Sequence, residues 1–344
     1  MVSGSWTTQE REPARSNRMR DAGAMDLNWM QEYAATEVVE LADEGRISRR
    51  EALGWLGTIM GGSAAAMFLA ACSSESASRP AASKRSAPTS RPESDPRRTA
   101  PPTSGGPGHA LSVAADDIAV QARAVEFPGP VGSMKGYLAV PASSSAPASP
   151  GIIVIHEIFG LNDHIRDVAR RLAKVGYRAL APDLASRVGG SDAATNVIGA
   201  LTGGPVEDRV SDLRASAKYL AAQPGVNGHL GVTGFCFGGG MTLSLAAAAP
   251  EIGAAVSYYG PTPQPATTMT ATGGAVLAHY GGNDARVNAG ITDLETALAG
   301  KTFRKHVWPG VGHQFNNDTS PAYDEPTAVA AWNETLAWFD RHLR

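Results

Sequence analysis

Short apolar runs alternate with stretches of helical apolar spacing from residue 111 to the C-terminus. Residues 151–155 are wholly apolar and rich in β-branched side chains, as expected of a strand buried on both faces of a sheet. Residues 163–175 carry apolar side chains on one side and are followed by Gly176, which predicts an amphipathic helix. The alternation predicts an α/β fold, with a mostly parallel sheet covered by helices on both faces.

The same patterns predict the other elements of this region. Strands are predicted at residues 122–127, 134–140, 177–181, 231–235, 254–259, 275–280 and 305–308. Helices are predicted at residues 206–222, 239–249, 291–299 and 327–342. Several strands run into polar or Gly-rich loops, and ligands of such folds bind at the carboxyl ends of the strands. We therefore expect the chemistry of the protein in these loops.

The first 72 residues follow a different pattern. Residues 26–45 have helical apolar spacing, and no charged side chain occurs from residue 52 to residue 71. Arg49-Arg50 precedes this apolar, Gly/Ala-rich run, and the arrangement resembles a twin-arginine export signal. We therefore expect export, although Arg-Arg pairs are also common at helix ends.

The apolar run ends in Leu69-Ala70-Ala71-Cys72, which resembles a bacterial lipobox. We expect the chain to be cleaved before Cys72 and Cys72 to be lipidated. The product is then a lipoprotein anchored to a membrane outside the cytoplasm, either in the periplasm or on the cell surface. The alternative is a transmembrane anchor that is never cut, because the run is just long enough to span a bilayer. The weakly apolar Gly61-Gly62-Ser63 favours the signal. Translation starts at Met1 or at Met25.

Composition divides the chain into three parts. Residues 73–110 are dominated by Ser, Pro, Ala and Arg, and such a segment cannot bury enough apolar surface to offset its chain entropy. We expect a disordered linker there, between the N-terminal region at residues 1–72 and a folded domain at residues 111–344. The chain has 30 Lys and Arg against 33 Asp and Glu, a net charge of −3, which argues against a nucleic-acid partner. Its two cysteines exclude a disulfide framework.

The strongest chemical motif is Gly234-Phe235-Cys236-Phe237-Gly238, between a predicted strand and a predicted helix. Glycines two before and two after the central residue are typical of a nucleophile elbow, a sharp turn that exposes this residue at a helix N-terminus. The N-terminal end of a helix favours a thiolate, so Cys236 is the predicted nucleophile. The alternative is a buried structural cysteine in a glycine-rich turn.

Two later loops supply a candidate base and a candidate acid. His313 lies in a polar loop before the last helix, and Asp284 follows a strand in a Gly-rich turn. The order Cys236, Asp284, His313 is the nucleophile–acid–base order of α/β-hydrolases, in which the acid orients the imidazole. The rival residues lie within predicted strands or helices: His306, His342 and Asp293.

His156-Glu157-Ile158-Phe159-Gly160 follows the strand at residues 151–155. This loop is placed to lend a backbone N–H to an oxyanion hole, with the N–H of Phe237 as its partner. Together with the elbow, Gly281-Gly282-Asn283-Asp284 and Gly312-His313-Gln314-Phe315, the loop resembles the dienelactone hydrolase (carboxymethylenebutenolidase) family over roughly residues 120–344.

The resemblance implies an α/β-hydrolase fold and a small-molecule ester or lactone as substrate, with neither a metal nor an organic cofactor. Cys236, Asp284 and His313 match the family's triad. Glu157 matches a carboxylate that contacts the thiol and helps to deprotonate it when substrate displaces it. The N–H groups of Ile158 and Phe237 match the oxyanion hole.

The sequence departs from the family at the arginines that grip a substrate carboxylate. No arginine occurs at residues 314–318, directly after the candidate base, and Arg187 or Arg209 is offered for the second arginine. The substrate is therefore expected to be another ester or lactone. The alternatives are a non-catalytic ligand-binding lipoprotein on the same fold, and an acyltransferase or thioesterase that shares the acyl-enzyme.

Overall fold

The computed structural model describes residues 28–43, 45–60, 109–143 and 147–344. Eight strands form one sheet in the order β1-β2-β4-β3-β5-β6-β7-β8. β1 and β2 form an antiparallel hairpin, β2 pairs antiparallel with β4, and every other neighbouring pair is parallel. The strands are β1 Val120–Gly129, β2 Gly132–Pro141, β3 Ser149–Ile155, β4 Arg178–Pro182, β5 Val226–Phe235, β6 Ile252–Tyr258, β7 Ala275–Gly281 and β8 Phe303–Trp308.

Nine α-helices lie within the described residues, with short 3-10 turns between some of them. They are α1 Trp29–Asp43, α2 Arg49–Met60, α3 Asp163–Lys174, α4 Val197–Thr202, α5 Val206–Ala221, α6 Phe237–Ala248, α7 Ala285–Asn288, α8 Ile291–Ala297 and α9 Glu325–Leu343. Every predicted strand and helix of the region after residue 110 is present, with ends displaced by a few residues. The short helices α4 and α7 were not predicted, because four to six residues are too few for a periodic pattern.

The mostly parallel sheet predicted from the sequence is confirmed. β3 and β7 are buried along their whole length, because helices cover both faces of the sheet there. Parallel pairing brings the carboxyl ends of β3, β5, β6 and β7 to one edge of the sheet. Loops that leave this edge therefore meet in space although their residues are far apart in sequence.

The N-terminal helices pack against this domain. α1 and α2 contact each other and α4, and α1 also contacts α6. A capping box starts α2, in which the Glu51 carboxylate accepts from the Ser48 N–H at 2.7 Å while the Ser48 hydroxyl accepts from the Glu51 N–H. Arg49 and Arg50, in the first turn of α2, are exposed. The helix expected at residues 26–45 is thus present as α1, docked on the domain.

The lipobox at residues 69–72, with Cys72, lies outside the described residues, as do both candidate start codons, Gly61-Gly62-Ser63 and nearly all of the expected linker at residues 73–110. Among the helices that the structure describes, none combines the length and the apolar character needed to cross a bilayer.

Candidate active site

The sharp turn between β5 and α6 carries Cys236. Its backbone has φ 57° and ψ −123°, a left-handed conformation that a non-glycine residue rarely adopts. The flanking glycines are required by close packing, because a Cβ on Gly234 would lie 2.2 Å from the Gly238 carbonyl oxygen. A Cβ on Gly238 would lie 2.4 Å from the Ile155 carbonyl oxygen. The turn therefore stores backbone strain that presents one side chain at the start of a helix.

Three loops bring Cys236, His313 and Asp284 together at the carboxyl edge of the sheet. The Nδ1 atom of His313 lies 2.5 Å from Oδ2 of Asp284, and the other oxygen of this carboxylate accepts from the Val287 N–H and caps α7. The opposite ring nitrogen, Nε2, faces the thiol side, since Nε2 and the Cys236 Sγ contact the same hydroxyl group. The imidazole is thus held at one nitrogen and open to proton exchange at the other.

The hydroxyl between thiol and imidazole belongs to Tyr33 of α1. Its oxygen lies 3.2 Å from the Cys236 Sγ and 3.4 Å from Nε2 of His313. Glu37, one turn further along α1, places Oε2 3.7 Å from the same Nε2. The side chains of both residues are buried, so α1 covers the thiol.

Burial and neighbouring charges set the protonation of these groups. Burial raises the pKa of the Cys236 thiol, and Glu37 raises it further, while His313 acts in the opposite direction. Burial also lowers the pKa of His313, but the carboxylates of Glu37 and Asp284 outweigh it and hold this pKa well above its ordinary value. The imidazole is therefore held protonated, beside a thiol whose ionisation is opposed.

Arg286, the second residue of α7, fixes the carboxylates of α1. It donates through Nη2 to Glu37 and through Nε to Glu40 at 2.8 Å, and its guanidinium lies 4.4 Å from the centre of the Tyr33 ring. The largely buried guanidinium thus joins α1 to the loop that carries Asp284. In a second contact, Arg46, just after α1, donates through Nη2 to the side-chain oxygen Oε1 of Gln314 at 2.6 Å, beside His313.

The loop after β3 provides the other predicted site residues. Ile158 and Phe237 are buried, and among the described residues neither N–H is engaged in a turn or cap hydrogen bond. The Glu157 carboxylate accepts from Asn317 Nδ2 at 2.8 Å and lies 3.5 Å from the Tyr259 hydroxyl, and burial raises its pKa. Its hydrogen bonds within the described residues go to these two side chains, and the thiol contact expected of Glu157 is made by Tyr33 instead.

The rival residues lie elsewhere. His306 stacks on Trp308 and contacts Glu334, and Asp293 is exposed on α8. His342, in the last turn of α9, packs against a tryptophan of the same helix.

Within the described residues, neither arginine offered for a substrate carboxylate bonds to Cys236, His313 or Asp284. Arg187 binds both carboxylate oxygens of Asp212, and Arg209 donates to the Ala200 carbonyl and pairs with the same aspartate. These contacts tie α5 to α4 and to the turn that carries Arg187. The arginine that the structure does bring to the triad is Arg286.

Sequence reasoning missed Tyr33, Glu37 and Arg286. The two α1 residues lie about 200 residues before the thiol, in a region that its composition marks as an export signal. One signal was available: the predicted helix at residues 26–45 carries several glutamates, whereas the segment before a signal's apolar run is usually basic.

Comparison with known proteins identifies the family. The model of the dienelactone hydrolase family matches residues 134–343. A protein provisionally named carboxymethylenebutenolidase from Salmonella typhimurium is 34% identical over 242 residues, covering 66% of this chain and 89% of the relative. One from Methylorubrum extorquens is 34% identical over 274 residues, covering 72% of this chain and 93% of the relative.

A solved structure agrees with the sequence relatives. The crystal structure of a provisionally named dienelactone hydrolase from Klebsiella pneumoniae superposes with a TM-score of 0.60 at 33% identity, covering 64% of this chain and 99% of the other. The eight-stranded, mostly parallel sheet is accordingly an α/β-hydrolase fold. The chain is a hydrolase and belongs to the dienelactone hydrolase family.

Proposed function

We propose that this hydrolase cleaves a carboxylic ester or lactone through a thioester on Cys236. The observation that carries the proposal is the strained turn at Cys236, which faces an imidazole whose far nitrogen is bound by a buried carboxylate. A non-glycine residue at positive φ costs about 1–3 kcal/mol and persists where function depends on it. A structural cysteine needs neither this turn nor a paired histidine.

The proposed reaction begins when the Cys236 thiolate attacks the carbonyl carbon and a C–S bond forms. The N–H groups of Ile158 and Phe237 stabilise the oxyanion, because both residues are buried and neither N–H has a turn or cap partner among the described residues. The tetrahedral intermediate collapses, the C–O bond breaks, and protonated His313 gives its Nε2 proton to the leaving alkoxide. For a lactone the alcohol stays attached to the acyl group.

The second half releases the acid. Water attacks the thioester carbonyl and gives a proton to Nε2 of His313, and the C–S bond breaks to return the thiolate. Asp284 holds Nδ1 and stabilises the imidazolium in both halves. A thiol is partly ionised near neutral pH and is a good leaving group, so we expect esters and lactones rather than amides as substrates.

We also propose that the protein is exported and held at a membrane by a lipid on Cys72. The support is the sequence of the signal together with the exposure of Arg49 and Arg50 in the first turn of α2, where a translocation receptor can reach them. Twin-arginine export carries folded cargo, which is consistent with a signal region that is itself folded on its domain.

The experiment compares hydrolysis of p-nitrophenyl acetate and of a dienelactone by the purified full-length chain. Cys236→Ala and Cys236→Ser are the test variants, and Ser244→Ala, a buried small-residue change within α6, is the control. We expect ester turnover that Cys236→Ala abolishes and that the control retains. Turnover that survives in Cys236→Ala contradicts the thiol mechanism. Ester formation with an added alcohol, in place of acid release, favours the acyltransferase alternative.

A further inference from the structure

We propose that α1 is a built-in inhibitor of the catalytic centre: while it is docked, Tyr33 and Glu37 occupy the position of the substrate, and hydrolysis requires α1 to leave. The proposed thiol chemistry is needed only to say which positions the reacting atoms of the substrate take. The contacts of the docked α1 with the site do not depend on it.

The docked Tyr33 blocks the reacting atoms sterically. A carbonyl carbon must come within about 3–3.5 Å of the attacking sulfur, and the Tyr33 hydroxyl oxygen lies 3.2 Å from the Cys236 Sγ. The same oxygen lies 3.4 Å from Nε2 of His313, where the leaving alkoxide has to accept its proton. One phenol thus fills both reacting positions, and the Cys236 side chain is 0% exposed.

Arg286 holds the helix in place. It contacts the carboxylates of Glu37 and Glu40 and the face of the Tyr33 ring, so one largely buried cation fixes three side chains of α1. Met30 and Val38 add buried apolar contacts along the same helix. This is a docked interface with its own specific contacts, as expected of an element that has to stay in place until it is released.

The docked helix also opposes ionisation of the thiol. A docked α1 keeps the thiol buried and places the Glu37 carboxylate beside it, and both effects raise the pKa of Cys236. The thiol form does not react with electrophiles or oxidants at an appreciable rate. Removal of α1 removes this charge and much of the burial, so the same movement that opens the site also favours the thiolate.

The position of α1 in the chain provides a way to release it. α1 lies before Arg49-Arg50, in the segment that the proposed signal cleavage separates from the domain. While the segment is attached, α1 has an effective concentration of roughly millimolar at its docking surface. Hydrolysis of the Ala71–Cys72 peptide bond by a water molecule ends this linkage, and the freed segment is diluted away. The enzyme is then slow before export, when only a minor fraction of the chains has α1 undocked, and fully active after it.

The test uses the full-length chain with Cys72→Ser, so that Cys236 is its single thiol. Glu37→Gln removes the charge that Arg286 holds, and Tyr33→Phe removes the hydroxyl that contacts the thiol while keeping the ring. Glu295→Gln is the control, because it removes a charge of the same kind from a partly exposed ion pair with Lys305, which joins α8 to β8. EDTA is present throughout, since Glu37, Cys236 and His313 are close enough to share a metal ion.

Two rates are measured: iodoacetamide labelling of Cys236, by mass spectrometry, and hydrolysis of p-nitrophenyl acetate. We expect both rates to rise about tenfold or more in Glu37→Gln, equivalent to about 1.4 kcal/mol of docking free energy, with no change in Glu295→Gln. If α1 is instead a working part of the site, Tyr33→Phe and Glu37→Gln lower hydrolysis, and the proposal is overturned.

A second measurement does not depend on a variant that folds well. A specific protease site is inserted between residues 73 and 108 of the full-length chain, and the purified protein is assayed before and after cutting and dilution. We expect a rise in both rates, and unchanged rates overturn the proposal. A rise in labelling without any hydrolysis supports the inhibitor and contradicts the proposed thiol hydrolysis, so the two failures are distinguishable.

Discussion

Asp284→Asn should slow the hydrolase without unfolding it. The carboxylate lies 2.5 Å from Nδ1 of His313, and the variant replaces a charge by a neutral amide of the same shape. Asparagine is as good an N-cap as aspartate, so the bond to the Val287 N–H that starts α7 is retained. The expected effect is therefore on the imidazole alone.

The size of the effect follows from the geometry. Two unit charges about 4 Å apart interact by roughly 4 kcal/mol at an effective dielectric constant of about 20, so loss of the Asp284 charge lowers the pKa of His313. The Asn amide can also donate to Nδ1 and force the proton onto Nε2, the wrong nitrogen for a base. A thiol needs less help than a hydroxyl, so we expect kcat/KM to fall by about 10²–10³, equivalent to about 3–4 kcal/mol.

The assay is kcat/KM for p-nitrophenyl acetate from pH 5 to pH 10, with α1 released by the inserted protease site. Asp293→Asn is the matched control, because it makes the same change at an exposed position on α8. The limb of the pH profile that reports the imidazolium should move to lower pH in Asp284→Asn only. A rate within threefold of the parent with an unmoved profile would refute the role assigned to Asp284.

Three further predictions concern the turn at Cys236 and the stability of the fold that supports it. Gly238→Ala places a Cβ 2.4 Å from the Ile155 carbonyl oxygen, so we expect at least a ~10²-fold loss of esterase activity as the turn shifts, and activity close to the parent's would contradict the elbow geometry. Asp318→Asn breaks buried pairs with Arg171 and His164. It should therefore lower the free energy of unfolding, measured by urea denaturation at pH 7, by about 3–5 kcal/mol. A urea midpoint equal to the parent's would contradict this. Burial lowers the pKa of His279 to about 3, below its unfolded value of about 6.5, so its contribution to stability is complete above pH 6.5 and is lost as the pH falls toward 3. In His279→Gln, the midpoint temperature of thermal unfolding should therefore fall less between pH 7 and pH 4.5 than it does in the parent. A fall as large as the parent's would contradict the assignment to His279.

Local pattern was sufficient to predict the sheet and the loops that form the site. β3 and β7 are short apolar runs, and the glycines around Cys236 identify the turn without any structure. The loop of His313 and the loop of Asp284 could be placed because parallel strands bring their carboxyl ends to one edge. These features depend on residues within a few positions of one another.

The docking of α1 over the thiol could not be predicted in the same way. The helical spacing around Tyr33 predicts that one face of α1 is buried, but not which surface covers it. Arg286 looks in sequence like a solvated cation after a turn, and only the docking of α1 gives it its carboxylate partners, the buried Glu37 and the partly exposed Glu40. Contacts between residues more than 200 positions apart depend on the assembled fold and produce no periodic pattern in the sequence.

The central claim is that an acyl group passes through Cys236, and its most direct test is to trap that intermediate. The full-length chain, with α1 released, is mixed with p-nitrophenyl acetate and quenched in acid within one turnover, and the Cys236 peptide is analysed by mass spectrometry. We predict one acetyl group on Cys236, removed by neutral hydroxylamine as a thioester is, with slower loss from His313→Ala than from the parent. Turnover with no acetyl group on Cys236, or with the acetyl group on another residue, would contradict the proposed mechanism.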